Sequence, residues 1–302
     1  MPVCNQVQIC CGGVQTAPED GGGYSRTLCD MLQSKGSAEV MPVYVIFLAV
    51  SFLASIAGAI CGIGGGVIIK PVLDAFGVLD VSAISFLSGC TVLAMSLYSV
   101  GRNKIAGTLS VDMSTGTPLA AGAAVGGVVG KYMFQAVKQM FENQNTVGAV
   151  QAACLMILTL GTLIYTVKKS RIKTYHLKNV PACLAIGLFL GILSSFLGIG
   201  GGPINLVILF YFFSMTTKVA AQNSLYIILF SQVTSLVVSV FTGTVPPVEW
   251  GILAGMVVCG VLGGITGRWF NKRMNDRMVD KLFMMLMVMI IFINIYNIFY
   301  YA

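Results

Sequence analysis

The chain has 302 residues, of which 56% are apolar and only 10% are charged, and its formal net charge is +7. Ordinary soluble domains carry about 25% charged residues, so the composition excludes that class and predicts an all-α, polytopic membrane protein. The lipid bilayer is therefore the first predicted partner, and no nucleic acid is expected as another.

Residues 1–41 differ from the rest of the chain. They are polar and glycine-rich, and they carry four cysteines in a spacing that matches no familiar zinc site. They contain no apolar stretch of the kind found in a signal peptide. We expect a disordered tail here, with the first apolar segment beginning at Met41-Pro42.

Long apolar segments follow the tail. A helix crosses a bilayer with about 20 apolar residues, and most of the segments match this length. The segments 43–76 and 182–213 are too long for one simple span, and each contains a run of glycines. In chain order the segments are 43–76, 81–100, 118–136, 147–167, 182–213, 218–241, 250–268 and 282–301.

The glycine runs belong to one motif, Gly-x-Gly-Gly-Gly, which occurs at 62–66 and again 136 residues later at 198–202. Three adjacent glycines interrupt a helix, because each costs about 1 kcal/mol of helix stability. The arms that follow, 67–76 and 203–213, would rise about 15–17 Å as helices, which is half of the hydrocarbon thickness. Broken helices at matching positions in two halves indicate the binding site of a transporter.

The match between the two halves extends beyond the glycines. The glycine-rich segment 126–131 corresponds to 263–268, and further blocks match in the same order. We interpret the chain as a tandem duplication. The predicted units are the tail 1–41, a first membrane repeat 42–168, a basic cytoplasmic linker 169–178 and a second membrane repeat 179–302.

The distribution of Lys and Arg decides between two arrangements of the glycine segments. If each segment crosses once, the positive charges divide evenly, against the usual excess on the cytoplasmic side. If each is a hairpin that enters and leaves on one side, the loops 102–104, 168–178 and 268–281 all face the cytoplasm. Each half then crosses an odd number of times, so the halves are inverted. We expect the two turns to meet near the bilayer midplane.

The turns have a predicted chemistry. Bare backbone N–H groups and the positive end of a short helix suit a small anion, whereas the alternative is that the glycines only allow close helix packing. Polar residues at membrane depth are further candidates. The candidate ligands are Gly64, Gly65, Gly66, Gly200, Gly201, Gly202, Asn205, Ser88, Asn223, Ser224, Gln222 and Lys70.

Lys70 has two interpretations. It could attract the anion, or its ammonium could extend to the membrane interface. Asp74, one helical turn later, favours a local ion pair. The apolar segments contain no His pair, carboxylate pair or Ser/Lys arrangement, so we predict no enzyme activity, no metal and no cofactor.

The chain resembles the TauE/SafE-type (TSUP) sulfite and sulfonate transporters over about 42–302. The resemblance rests on the doubled Gly-x-Gly-Gly-Gly, on Pro71 after the first copy, and on Asn223-Ser224-Leu225, which is similar to the family's Thr-Ser-Leu. The chain departs from the family pattern at Val207, where a second proline is expected. It also departs at Leu87-Ser88-Gly89, which keeps the first Thr-Ser-Leu only in part.

The resemblance implies a secondary transporter in the cytoplasmic membrane of a bacterium. Its substrates would be small, mostly sulfur-containing anions such as sulfite, sulfonates or sulfoacetate, moved by alternating access and coupled to a proton or ion gradient. Two alternatives stay open: an uncoupled anion channel, and a carrier of small organic carboxylates. The direction of transport and the oligomeric state are not predicted.

Overall fold

The protein is described here by a computed structural model of residues 37–140 and 144–301. Within these ranges the chain is all-helical, with ten α-helices and no strand. The predicted tail lies outside the described residues except for 37–41, which belong to the first helix. The all-α prediction is confirmed.

The helices follow one another with short connections, apart from the basic linker, which contains one turn of 3-10 helix at Lys169–Arg171. The bounds are α1 Ser37–Cys61, α2 Gly66–Phe76, α3 Val81–Ile105, α4 Met113–Met140, α5 Gln144–Lys168, α6 Val180–Leu197, α7 Pro203–Phe213, α8 Thr217–Phe241, α9 Trp250–Arg273 and α10 Asp276–Tyr301.

Seven of these helices are long and apolar enough to cross a membrane, namely α1, α3, α5, α6, α8, α9 and α10. α4 contains the predicted span 118–136 but is not among the seven. α2 and α7 have only 11 residues each and follow the glycine motifs. The protein is a multi-pass membrane protein.

Glycines bring two pairs of helices into backbone contact. The methyl group of an alanine would collide at most of these glycines with the backbone of the neighbouring helix, so only a hydrogen fits there. The contacts run in the same order along both helices, so α4 is parallel to α6 and α9 is parallel to α1. In chain order, Gly122, Gly126 and Gly130 meet Leu184, Leu188 and Ile192, while Gly255, Gly263 and Gly267 meet Leu48, Phe52 and Ile56.

These two helix pairs correspond to each other with the halves of the chain exchanged. Gly130 meets the carbonyl of Ile192, and the repeat-related Gly267 meets the carbonyl of Ile56. α9 also runs parallel to α3, since Gly260 contacts Thr91 and Gly264, farther along, contacts Met95 at the next turn. Each half therefore packs its third long helix against the first helix of the other half.

An apolar cluster lies where α1, α3 and α8 meet. Two of its members pack directly against the glycine motifs, since Val92 and Ile228 both face Gly64. Burial of such side chains contributes about 25 cal/mol per Å² of apolar surface, which fixes α3 and α8 beside the turns. The cluster consists of Ala59, Val92, Met95, Val100, Leu225 and Ile228.

Candidate functional site

The two glycine motifs form turns with the same backbone conformation at two positions. The φ angles are 75° at Gly62 and 72° at Gly64, and 64° at Gly198 and 71° at Gly200. These left-handed values are accessible to glycine and strained for residues with a side chain. The motif therefore ends α1 and α6 and redirects the chain into α2 and α7.

The two turns touch each other in the interior of the protein. A side chain at Gly66 would collide with the carbonyl oxygen of Ile199, and one at Gly64 would lie 3.7 Å from the carbonyl oxygen of Gly200. Ile63 and Ile199 are buried, with 0% and 2% of their surfaces exposed. The structure thus brings together two motifs that are far apart in the sequence.

Several backbone donors in the turns have no acceptor. The N–H groups of Gly64, Gly65, Gly200 and Gly201 donate no hydrogen bond to any described residue. These donors lie at the turns that lead into α2 and α7, where the start of a helix leaves backbone N–H groups without intrahelical partners. They have the chemistry required to bind an anion.

Ser88 lies beside the first turn. Its hydroxyl oxygen is 2.9 Å from the position that a Cβ of Gly66 would occupy, and no described residue hydrogen-bonds to it. Ser224, its repeat-related partner, is equally buried and its hydroxyl is also unpaired among the described residues. Asn205 lines a small cavity with Gly201 and Gly202, and its side-chain oxygen has no partner there.

Gln222 and Asn223 bind the loop between α3 and α4. The backbone N–H of Ser110 donates to Oε1 of Gln222 at 2.9 Å, and Nδ2 of Asn223 donates to the carbonyl of Ser110 at 3.2 Å. Nδ2 of Asn223 also donates to Val219 within α8 at 2.9 Å. The hydrogen bonds of these two amides therefore connect a loop to α8, which is the helix-packing role that buried amides have in membrane proteins.

Lys70 forms an ion pair inside α2. Its Nζ lies 2.8 Å from Oδ2 of Asp74, and the two side chains are 3% and 7% exposed. The ammonium therefore does not extend to the surface. Asn297 of α10 donates to the carbonyl of Pro71 at 2.9 Å, which connects α10 to α2.

A cleft beside the second turn contains residues that the sequence analysis did not select. It has about 390 Å³ of empty space, part of it open to the surface. Lys131 lines it together with polar residues of α8 at spacings of three and four. This polar stripe on one helix face was the available signal in the sequence. The polar lining consists of Ser85, Lys131, Gln151, Ser195, Gln232, Ser235 and Ser239.

Comparisons with known proteins agree with this architecture. Residues 47–294 match the sequence model of a family described as sulfite exporter TauE/SafE. The chain is 23% identical over 224 residues to a Bacillus subtilis (strain 168) protein described as "Probable membrane transporter protein YunE", and the aligned region covers 67% of this chain and 80% of that protein. No solved structure gives a significant match.

Proposed function

Because the chain belongs to the sulfite exporter TauE/SafE family of membrane transporters, we propose that it is a secondary transporter of small sulfur-containing anions such as sulfite, sulfonates or sulfoacetate. One observation carries the proposal. The two glycine turns touch each other, and their backbone N–H groups have no acceptor among the described residues. An anion supplies the missing acceptors.

The proposed anion site lies between the turns. An oxyanion presents several acceptor oxygens and no obligatory donor, so its burial is favourable only among hydrogen-bond donors. The N–H groups of Gly64, Gly65, Gly200 and Gly201 would provide donors from both halves. The hydroxyl of Ser88 and the amide of Asn205 would complete the coordination from α3 and α7.

We further propose that each glycine segment is a hairpin and that the two membrane repeats, 42–168 and 179–302, are inverted. The helix directions support this arrangement. α1 and α3 are both parallel to α9, so the short α2 between them must return to the side at which α1 began. α6 is parallel to α4, which follows α3 after a short loop and therefore runs opposite to it. Hence α1 and α6 run in opposite directions.

Transport would follow from movement of one half relative to the other. Val92 and Ile228 pack directly on the turns, at 3.4 Å each from the Cβ position of Gly64. These apolar side chains block the approach to the turns, so they must separate before an anion can enter or leave. A proton or ion gradient would drive the cycle, as is usual for carriers with inverted repeats.

The proposal is tested by flux of radiolabelled sulfite, thiosulfate, sulfoacetate and lactate into proteoliposomes, with and without a pH gradient. We expect saturable flux of at least one sulfur anion that rises with the gradient. Saturable flux of lactate alone would replace the substrate class by organic carboxylates. Flux that does not saturate would indicate a channel, and absence of flux for all four anions would contradict the substrate class.

A further inference from the structure

The cleft beside the second glycine turn lies between helices of the two halves. Its walls come from α3, α4 and α5 of the first half and from α6 and α8 of the second. Its inner end is the turn itself, because Gly198 lines the cleft and the side-chain carbon of Gln232 lies 3.3 Å from the Cβ position of Gly200. The cleft therefore ends at the second turn, where the side chains of Val92 and Gln232 pack against Gly200.

The charge of the cleft is positive. Lys131 lines it, with its Nζ 5.7 Å from the ring centre of Phe134, and it forms no ion pair with a described carboxylate. No Asp or Glu is among the lining residues. Lys138 lies two helical turns farther along α4 and donates to the hydroxyl of Ser82 at 2.9 Å. It adds a second cation on the same helix.

The cleft also contains polar atoms that lack partners. The hydroxyls of Ser85 and Ser195 are buried without a hydrogen bond to any described residue. Gln151 is 3% exposed, and its Nε2 donates to the carbonyl of Phe196 at 2.7 Å, which fixes the amide in the wall. Buried polar atoms without partners are rare in native proteins, and two hydroxyl donors in one cleft with an ammonium are suited to an oxyanion.

We propose that this Lys131 cleft is a second anion-binding site, in which the transported anion is held by Lys131, Ser85 and Ser195 before it reaches the glycine turns. The proposal rests on the proposed function, since the anion it takes is the transported one. The site would collect substrate electrostatically and deliver it to the turn at Gly198.

The repeat-related position in the other half supports this assignment. Arg268 corresponds to Lys131 in the sequence duplication, and its Nε donates to Oδ1 of Asn103 at 2.6 Å. Asn271 donates to the carbonyl of Ile60, at the end of α1, also at 2.6 Å. A cation thus occurs at the same place in both halves. In the first half the cation, Lys131, lines a cleft. In the second half the cation, Arg268 of α9, is hydrogen-bonded to Asn103 of α3.

The test uses protection of a single engineered cysteine, Leu236→Cys, from a membrane-impermeant maleimide. Leu236 lines the cleft with an apolar side chain, so the variant reports occupancy without removing a proposed ligand. Labelling is measured against the parent protein, in detergent and in nanodiscs, at increasing concentrations of sulfoacetate or sulfate.

We expect sulfoacetate to slow labelling of Leu236→Cys. In a Lys131→Gln background the concentration for half-protection should rise about tenfold or more, since a charge-assisted hydrogen bond is lost. Lys131→Arg should stay within about threefold of the parent, which shows that the helix still folds. Lys173→Gln, which removes an equal charge from the exposed linker, should change nothing. Equal protection with Lys131→Gln and the parent would overturn the site.

The two probes separate this proposal from the proposed function. Protection by sulfate that requires Lys131 would support the site even if sulfoacetate is not transported, and only the substrate class would then fail. Transport of sulfoacetate with protection that does not depend on Lys131 would overturn the site and leave the function intact. Protection by anionic lipid in the nanodiscs, and none by a free anion, would assign the cleft to a lipid headgroup and overturn the proposal.

Discussion

The two short helices that follow the glycine turns have the same length and different chemistry. α2 and α7 each have 11 residues and follow turns with left-handed glycines at matching positions. α2 contains the buried pair Lys70 and Asp74, whereas α7 has Leu206 and Phe210 at the repeat-related positions. The left-handed glycines at the first and third motif positions are common to both halves and the charge is not. The ion pair is therefore a feature of one half.

The same comparison extends to the cations at the ends of α4 and α9. Lys131 faces an open cleft, whereas Arg268 is hydrogen-bonded to Asn103. Two halves of similar sequence thus present one accessible and one bridged cation. Under the proposed alternating-access mechanism, movement of the halves would bridge the accessible cation and expose the bridged one.

The largest effect is expected where the shared turn is broken. Gly201 has a φ of 141°, and a Cβ there would collide with Ile228. Gly201→Val should abolish measurable transport in proteoliposomes while the protein still inserts. Gly161→Val is the matched control, because a Cβ at Gly161 meets nothing within 4 Å, and it should transport normally. Full activity of Gly201→Val would contradict the functional role of the turn.

The next largest effect concerns the ion pair that only α2 contains. Asp74→Leu leaves the buried Lys70 ammonium unpaired and should lower the free energy of unfolding by about 3 kcal/mol. The double variant Lys70→Met/Asp74→Leu, which makes α2 apolar like α7, should recover to within about 1 kcal/mol of the parent. Both are measured by chemical denaturation in detergent micelles. Equal losses in the single and double variants would show that the pair itself stabilises the fold.

A smaller effect is expected from a hydroxyl beside the first turn. Ser88→Ala removes one proposed donor to the anion and should raise the KM for the transported sulfur anion about tenfold. Ser231→Ala removes an equally buried and unpaired hydroxyl that lies near Gly127 of α4, away from the turns. The KM of Ser231→Ala should stay within about twofold. Equal KM changes in the two variants would remove Ser88 from the site.

The smallest effect is expected from loosening the bridged cation. Asn103→Ala removes the hydrogen bond to Arg268, whose net contribution is about 1 kcal/mol. The equilibrium between the arrangement in which α3 and α9 are bridged and the one in which they are separated should therefore shift about fivefold toward separation. A cysteine reporter at Ser99, which lies near Gly264 of α9, should then react with maleimide about fivefold faster. An unchanged rate would show that this bond does not hold the two halves together.

The sequence predicted the parts of the site that depend on local backbone chemistry. The doubled glycines identified both turns, and the lengths of α2 and α7 followed from the apolar arms 67–76 and 203–213. Asp74, one turn after Lys70, correctly indicated the ion pair. These features require only neighbours along the chain, so periodicity and spacing were sufficient.

The rest depends on contacts between distant segments. Gln222 and Asn223 stay predicted anion ligands, and the sequence did not predict their hydrogen bonds to Ser110, whose loop is more than 100 residues away. Lys131 was not selected from the sequence, because one residue of α4 gives no sign of the serines that α3 and α6 contribute to the same cleft. α4 was predicted as an apolar span, and its apolar pattern did not indicate that its glycines make backbone contact with α6.

The central claim is that the two glycine turns together hold the anion, and the position of a bound anion tests it most directly. Crystals grown with selenite, a heavier analogue of sulfite, would locate the anion by the anomalous scattering of selenium. The account predicts a selenium peak within hydrogen-bonding distance of the N–H groups of Gly64, Gly65, Gly200 or Gly201. A selenium peak at Lys131 alone, or at a place remote from both turns, would contradict it.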